Sequence, residues 1–252
     1  MPNRLEDTPD RRSSRRAAFG LVGGLGPGAT IHYYRELTEA FARRGTTPPF
    51  FISHADPSLV FDKMAAGALD ELADYLARHV DWLARAGAEF AAIGAVSPHV
   101  CAQQLKARIR IPLIDLIDCT RAELTRRGAR RVAILGTKFV MQSDLHGRLE
   151  DFETVRLSPD DLAFVDANYM KIARFGKVAG SGADIEGLRA IAKASVQDRG
   201  ADTVIIAGTD LSLAFDEADG GFPALDCSRA HLDAIKTNLF GGLSARTGEQ
   251  SS

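Results

Sequence analysis

Three short stretches of this chain return in the same order at nearly one spacing. "LVGGLG" has a counterpart in "AILGTK", with Gly24 and Gly136 112 residues apart; "GAVSPH" has one in "IAGTDL", with Val96 and Gly208 again 112 apart. "IDCTRAEL" returns as "LDCSRAHL", placing Asp118 and Asp226 108 apart. Self-similarity in register marks two copies of one structural unit. The content of each unit follows from its periodicity. Short apolar runs ("AAFGLV", "PPFFIS", "EFAAIGA", "IPLIDLI", "RVAILG", "DTVIIAG", "FPALD") alternate with amphipathic segments such as "ALDELADYLARHVDWLARAG", whose apolar residues recur at three- and four-residue steps. Strand–helix alternation builds βαβ units and a mostly parallel sheet. The expected fold class is α/β: two pseudo-symmetric lobes, each a mostly parallel sheet flanked by helices, with a cleft between them. The expected division is a first lobe over residues 18–117 plus about 228–245 and a second over 118–227. A flexible arm at 1–17 and a tail at 246–252 complete it.

Charge and composition narrow the function classes. A formal net charge of −2 in 252 residues lacks the basic field of a nucleic-acid binder. No run of eighteen apolar residues indicates a membrane span. Three cysteines, an odd number, do not make a disulfide framework and suit a reducing, cytoplasmic setting. "SSRRAAFGLVGGLGPGA" carries twin arginines before an apolar stretch, as an export signal does, but its five glycines and a proline suit a charged arm leading into a strand and a turn.

The chemistry-bearing residues gather at predicted strand ends, where open α/β sheets bind ligands. "GGLGPGAT" at 23–30 joins a strand to a helix. Its glycines let the backbone approach a ligand, and the helix N-terminus offers free N–H groups to an anion. It has neither a P-loop ending nor a dinucleotide glycine spacing, so a small carboxylate suits it better than a nucleotide. A plain tight turn capped by Thr30 is the alternative. Thr137, at the equivalent turn of the second lobe, is placed to donate to a carboxylate or to cap the next helix.

These motifs together, "GLVGGLGPGAT", "RVAILGTKFVM" followed by "LHGRLED", "GADTVIIAGTDL" and "FPALDCSRAHLDA", resemble the aspartate/glutamate racemase superfamily in order from about residue 18 to 240. The resemblance implies a two-lobed fold and cofactor-independent proton transfer at the α-carbon of a small amino or dicarboxylic acid. It also implies two catalytic cysteines, one per lobe, in Cys-Asn-Thr-Ala-His-like and Gly-Cys-Thr-Glu-like motifs. Matching on His99 puts Ala95 at the first cysteine and Ser97 at the threonine; matching on Thr209 puts Gly208 at the second cysteine and Asp210 at the glutamate. Both thiols are replaced.

Candidates for the proton chemistry are then His99, Asp210 and His231, because imidazole and carboxylate can exchange protons where hydroxyls cannot unaided. Gly26, Thr30, Ser97, Thr137, Thr209 and His54 are the expected substrate contacts. Cys101 lies two residues past His99, off its helix face. Cys119 and Cys227, a symmetric pair in the repeat, are either relocated thiols at helix N-termini or small half-buried residues. His54 and Asp56 make a His-x-Asp pair, too little for a metal site, and neither metal nor cofactor is expected. The reading is a racemase-like isomerase, with a lyase (decarboxylase) or a non-catalytic carboxylate binder as alternatives. It is expected to work as a homodimer on a small carboxylate or amino acid, with neither nucleic acid nor membrane as partner.

Overall fold

A computed structural model describes residues 17–47, 50–175, 182–213 and 220–244. The tail at 246–252 and all but the last residue of the 1–17 arm lie outside the described residues. The first half runs β1 (Phe19–Gly23), α1 (Pro27–Ala42), β2 (Phe50–His54), α2 (Pro57–Ala65), α3 (Leu69–Ala86), β3 (Phe90–Ile93), a 3₁₀ turn (Ser97–Cys101), α4 (Ala102–Lys106) and β4 (Leu113–Ile114). Helix α5 (Leu116–Arg126) leads into the second half. There β5 (Arg131–Gly136), α6 (Lys138–Gln142), α7 (Asp144–Gly147), β6 (Glu153–Val155), α8 (Pro159–Phe175), α9 (Gly182–Gln197), β7 (Thr203–Ala207), β8 (Ala224–Asp226) and α10 (Cys227–Ser244) follow.

The strands form two four-stranded parallel sheets, ordered β2-β1-β3-β4 and β6-β5-β7-β8. The symmetry extends to register: Phe19 lies opposite Phe90 and Val132 opposite Thr203, each pair 71 residues apart. The central strands β1, β3 and β7 are buried along their whole length. That is why they read as continuous apolar runs rather than alternating ones.

Two local features depart from the sequence reading. Strand β6 was not among the apolar runs, because this three-residue edge strand buries only Val155. "IPLIDLI" is strand only over Leu113–Ile114, since Asp115 then caps α5, its Oδ1 accepting from the Ile117 N–H at 2.9 Å and the Asp118 N–H at 3.3 Å. Asp226 does the same for α10, accepting from the Ser228 N–H at 2.8 Å and the Arg229 N–H at 3.4 Å. The structural counterpart of Asp226 is therefore Asp115, 111 residues earlier, and not Asp118. Cys119 sits inside α5 whereas Cys227 opens α10, so the two cysteines are not a symmetric pair.

Each sheet has its own core. Val132, Ile134, Leu135, Val204, Ile205 and Leu225 centre the second, and Val22, Ile93, Leu72, Leu76 and Val80 the first. A third cluster joins Phe19, Leu21 and Phe90 to Tyr33, Leu37 and Phe41 of α1 and to Leu232, Ile235 and Leu239 of α10. The last helix thus leaves the second sheet and packs against the first, coupling the two. Truncating the fully buried Ile235 to alanine is expected to cost about 3 kcal/mol. The lobes should still unfold in one transition, with Trp82 fluorescence and far-UV circular dichroism coinciding in urea; separated transitions would show that α10 does not couple them.

Candidate active site

The carboxyl ends of both sheets open on a cavity of about 310 Å³ between the lobes. The first lobe supplies Leu25, Gly26 and Pro27, then Pro57, Ser58, Val60 and Phe61, then Ala95 to Pro98; the second supplies Thr137, Tyr169, Met170 and Ala173. Two of these segments are the first residues of α1 and α2, helices of 16 and 9 residues with Pro at their starts. Such ends favour anions, and at α2 the Asp56 carboxylate already takes that place, accepting from the Ser58 N–H at 2.8 Å. The hydroxyls of Ser58, Ser97 and Thr137 add polar groups to an otherwise apolar wall.

Part of that favourable field is already used. Asp210, just past β7, accepts a hydrogen bond on Oδ1 from the Ala29 N–H in the first turn of α1, at 3.1 Å. Its carboxylate lies so close to Gly26 that a Cβ there would overlap Oδ2, so this position requires glycine. The Tyr169 hydroxyl, from α8, also interacts with this carboxyl. Only 2% of Asp210 is exposed. Burial pushes its pKa up to about 6, although the Ala29 hydrogen bond and the Tyr169 hydroxyl both favour the ionised form. Burial and the neighbouring Asp210 charge push the Tyr169 hydroxyl well above its ordinary value.

The profile of the Asp/Glu/hydantoin racemases matches residues 22–235. The chain belongs to that family. Solved structures agree on the fold. A candidate Asp/Glu racemase from Yersinia pestis superposes with a TM-score of 0.74 at 23% identity, covering 86% of this chain and 96% of that one. An aspartate racemase homologue from Pyrococcus horikoshii OT3 gives 0.70 at 24%, covering 88% and 98%. A glutamate racemase from Francisella tularensis, solved with D-glutamate, gives 0.60 at 14%, covering 90% and 82%.

Within this racemase fold neither of the two positions matched to thiols holds one, and the second is closed to a simple reversion. Ala95 presents a methyl group to the cavity. At Gly208 an added Cβ would overlap the Tyr169 ring, so Tyr169 takes up the space a side chain there would need. The remaining cysteines do not compensate. Burial raises Cys101 and Cys119 to about 12 and Cys227 well above its ordinary value, leaving thiols rather than thiolates at neutral pH.

Two histidines expected to carry protons are turned to other tasks. His99 donates from Nδ1 to the Ala95 carbonyl at 2.8 Å and accepts on Nε2 from the Leu116 N–H at 3.2 Å. His231 donates from Nε2 to the Ile114 carbonyl at 2.9 Å and accepts on Nδ1 from the Tyr33 hydroxyl at 2.8 Å. Each ring satisfies backbone that would otherwise be buried unpaired. Burial lowers the pKa of His99 and takes that of His231 down to about 3, so both stay neutral.

The expected substrate contacts divide. Gly26, Ser97 and Thr137 line the cavity. Thr30 does not: its hydroxyl accepts from the Gly24 N–H and donates to the Gly26 carbonyl, shaping the turn. Thr209 is buried and donates to the Gly94 carbonyl at 3.3 Å, joining the two lips. His54 is exposed at the end of β2, off the cavity wall, with its ring beside Gly24. Among the described residues no group of three or more His, Cys, Asp or Glu could hold a metal ion, and no helix is long and apolar enough to cross a membrane.

Tyr169 and Ser58 were missed from the sequence. Tyr169 lies mid-helix in "DDLAFVDANYMKIARF", where an aromatic at helical spacing reads as core, and only the position of Gly208 beneath it reveals its place.

The raised pKa has a stability consequence with a definite sign. A folded-state value of about 6 against an unfolded value of about 3.9 means the native state holds the proton more tightly. Asp210's contribution is therefore full below about pH 4 and is lost as pH rises through about 6, a swing of about 3 kcal/mol. Asp210→Asn should remove that decline, so the variant gains on wild type between pH 4 and 7 in urea titrations. A constant difference over that range would contradict the shift. Separately, Gly208→Cys should destabilise the fold by about 2 kcal/mol, as overpacking does. Adding Tyr169→Ala should recover most of the loss, read as melting temperatures of the single and double variants.

Proposed function

We propose that this chain is a racemase-type enzyme that holds a small amino acid or related carboxylate between its lobes. It moves a proton at the α-carbon, with Asp210 holding that proton in place of a thiol pair. The observation that carries the reading is the placement of a buried carboxyl, with a pKa of about 6, directly behind the cavity wall. A group poised near neutrality populates both protonation states and serves as acid and as base. Membership of the racemase family supports the reaction class. So does the glutamate racemase of the same fold that was solved with D-glutamate. The hydroxyls of Ser58, Ser97 and Thr137 on the wall supply donors for a carboxylate. The reading keeps the expectation of cofactor-independent chemistry in a cytoplasmic homodimer.

Proton NMR in D2O with L- and D-aspartate, L- and D-glutamate, L- and D-alanine and the two enantiomers of 2-phenylpropionate tests this. Loss of a Cα–H signal is expected for at least one acid. Asp210→Asn should slow it at least 100-fold, whereas His99→Gln, which keeps a donor and an acceptor, should retain it. Line broadening of an acid without any exchange would replace the enzyme by a carboxylate-binding protein.

A further inference from the structure

We infer that Tyr169 relays the proton between Asp210 and the ligand, and that the chemistry therefore reaches the α-carbon from one face only. This rests on the enzymatic reading above and goes beyond it. Asp210 is too deeply buried to touch a ligand: it is absent from the cavity wall, its Oδ1 is taken by the Ala29 N–H, and its Oδ2 lies against Gly26. Tyr169 lines the cavity, its ring covers Gly208 two residues before Asp210, and its hydroxyl interacts with the Asp210 carboxyl.

The opposite lip offers no partner. The Ala95 methyl group stands at the other thiol position, and the adjacent polar group on the wall is the Ser97 hydroxyl, which is no base unaided. His99 lies behind it with both ring nitrogens bonded to backbone groups. On the second-lobe side the Tyr169 ring covers Gly208, the position matched to the second thiol.

The step balances without an oxidant or a further reactant. The Cα–H bond breaks and its electron pair stays on the carbon, delocalised into the carboxylate. The proton passes to the Tyr169 oxygen while that oxygen's own proton passes to Asp210. The return step runs through the same two bonds. In D2O the protons on Tyr169 and Asp210 exchange for deuterons while the carbanion is held, and a deuteron is then delivered from the Tyr169 oxygen to the face the proton left. Exchange therefore proceeds with retention of configuration. A two-base site would instead invert it.

The test follows single enantiomers of the same acids in D2O by NMR and by chiral chromatography, for wild type, Tyr169→Phe and Gly208→Ala. One enantiomer of an exchanging acid should take up deuterium with its configuration kept, and its mirror image should remain unlabelled. Tyr169→Phe should slow exchange at least 100-fold while the acid's line broadening persists. Gly208→Ala, which leaves the phenol chemistry intact but displaces the ring, should also lose exchange, and it serves if the first variant does not fold. Exchange at the wild-type rate in a folded Tyr169→Phe would overturn the relay and leave the enzymatic reading standing. Formation of the opposite enantiomer would overturn the single face. No exchange of any acid by wild type would overturn both.

Discussion

One hydrogen bond sets the geometry of this molecule: the Ala29 N–H of the first lobe to the Asp210 carboxylate of the second, between residues 181 positions apart. It places an anion at the start of a 16-residue helix, where the aligned peptide dipoles are most favourable to it. The carboxylate can come this close because Gly26 has no side chain. The same contact holds two sheets with separate cores face to face and leaves the cavity between their strand ends. Thr209 to Gly94, and His231 between Tyr33 and Ile114, close the seam on either side. Arg148 adds an ionic clasp from the second lobe to Asp115, which Lys106 shares.

Burial sorts the ionisable groups into those that can act and those that cannot. It acts on every group at the seam, but with different results. It neutralises the histidines, locks the cysteines as thiols, and lifts one carboxyl into the neutral range. Asp115 is the counter-case. It is buried as well, yet the Lys106 ammonium and Arg148 guanidinium hydrogen-bonded to it hold it well below the usual carboxylate range. It remains a permanently charged cap and strut. Asp210 has backbone and a phenol for partners rather than cations, and that difference in neighbours separates a structural carboxylate from a reactive one.

The architecture was legible in the sequence because fully buried parallel strands write themselves as apolar runs and because the repeat spacing survives in glycines that must stay small. The short edge strand β6 was not legible, since Glu153 and Thr154 carry no apolar signal. Matching Asp118 rather than Asp115 to Asp226 followed from similarity of letters, whereas capping geometry decides the true pair. At the site, the sequence singled out Asp210 and matched Ala95 and Gly208 to the two thiol positions of the family motifs. It did not show that both ring nitrogens of His99 and of His231 are hydrogen-bonded, because which groups a histidine satisfies is a property of the folded seam. It passed over Tyr169 because one aromatic in an amphipathic helix carries no mark of the glycine beneath it.

The measurement closest to the centre of this account is a carbon-13 NMR titration of the aspartate side-chain carboxyls, with Asp210 assigned by its absence from Asp210→Asn. The account predicts a midpoint near pH 6 for that resonance, falling when the pocket is opened to water by Tyr169→Ala. A midpoint near the ordinary 3.9 in the intact protein would mean that Asp210 is an exposed or cation-paired carboxylate. The proton chemistry proposed for the cleft would then have no group to carry it.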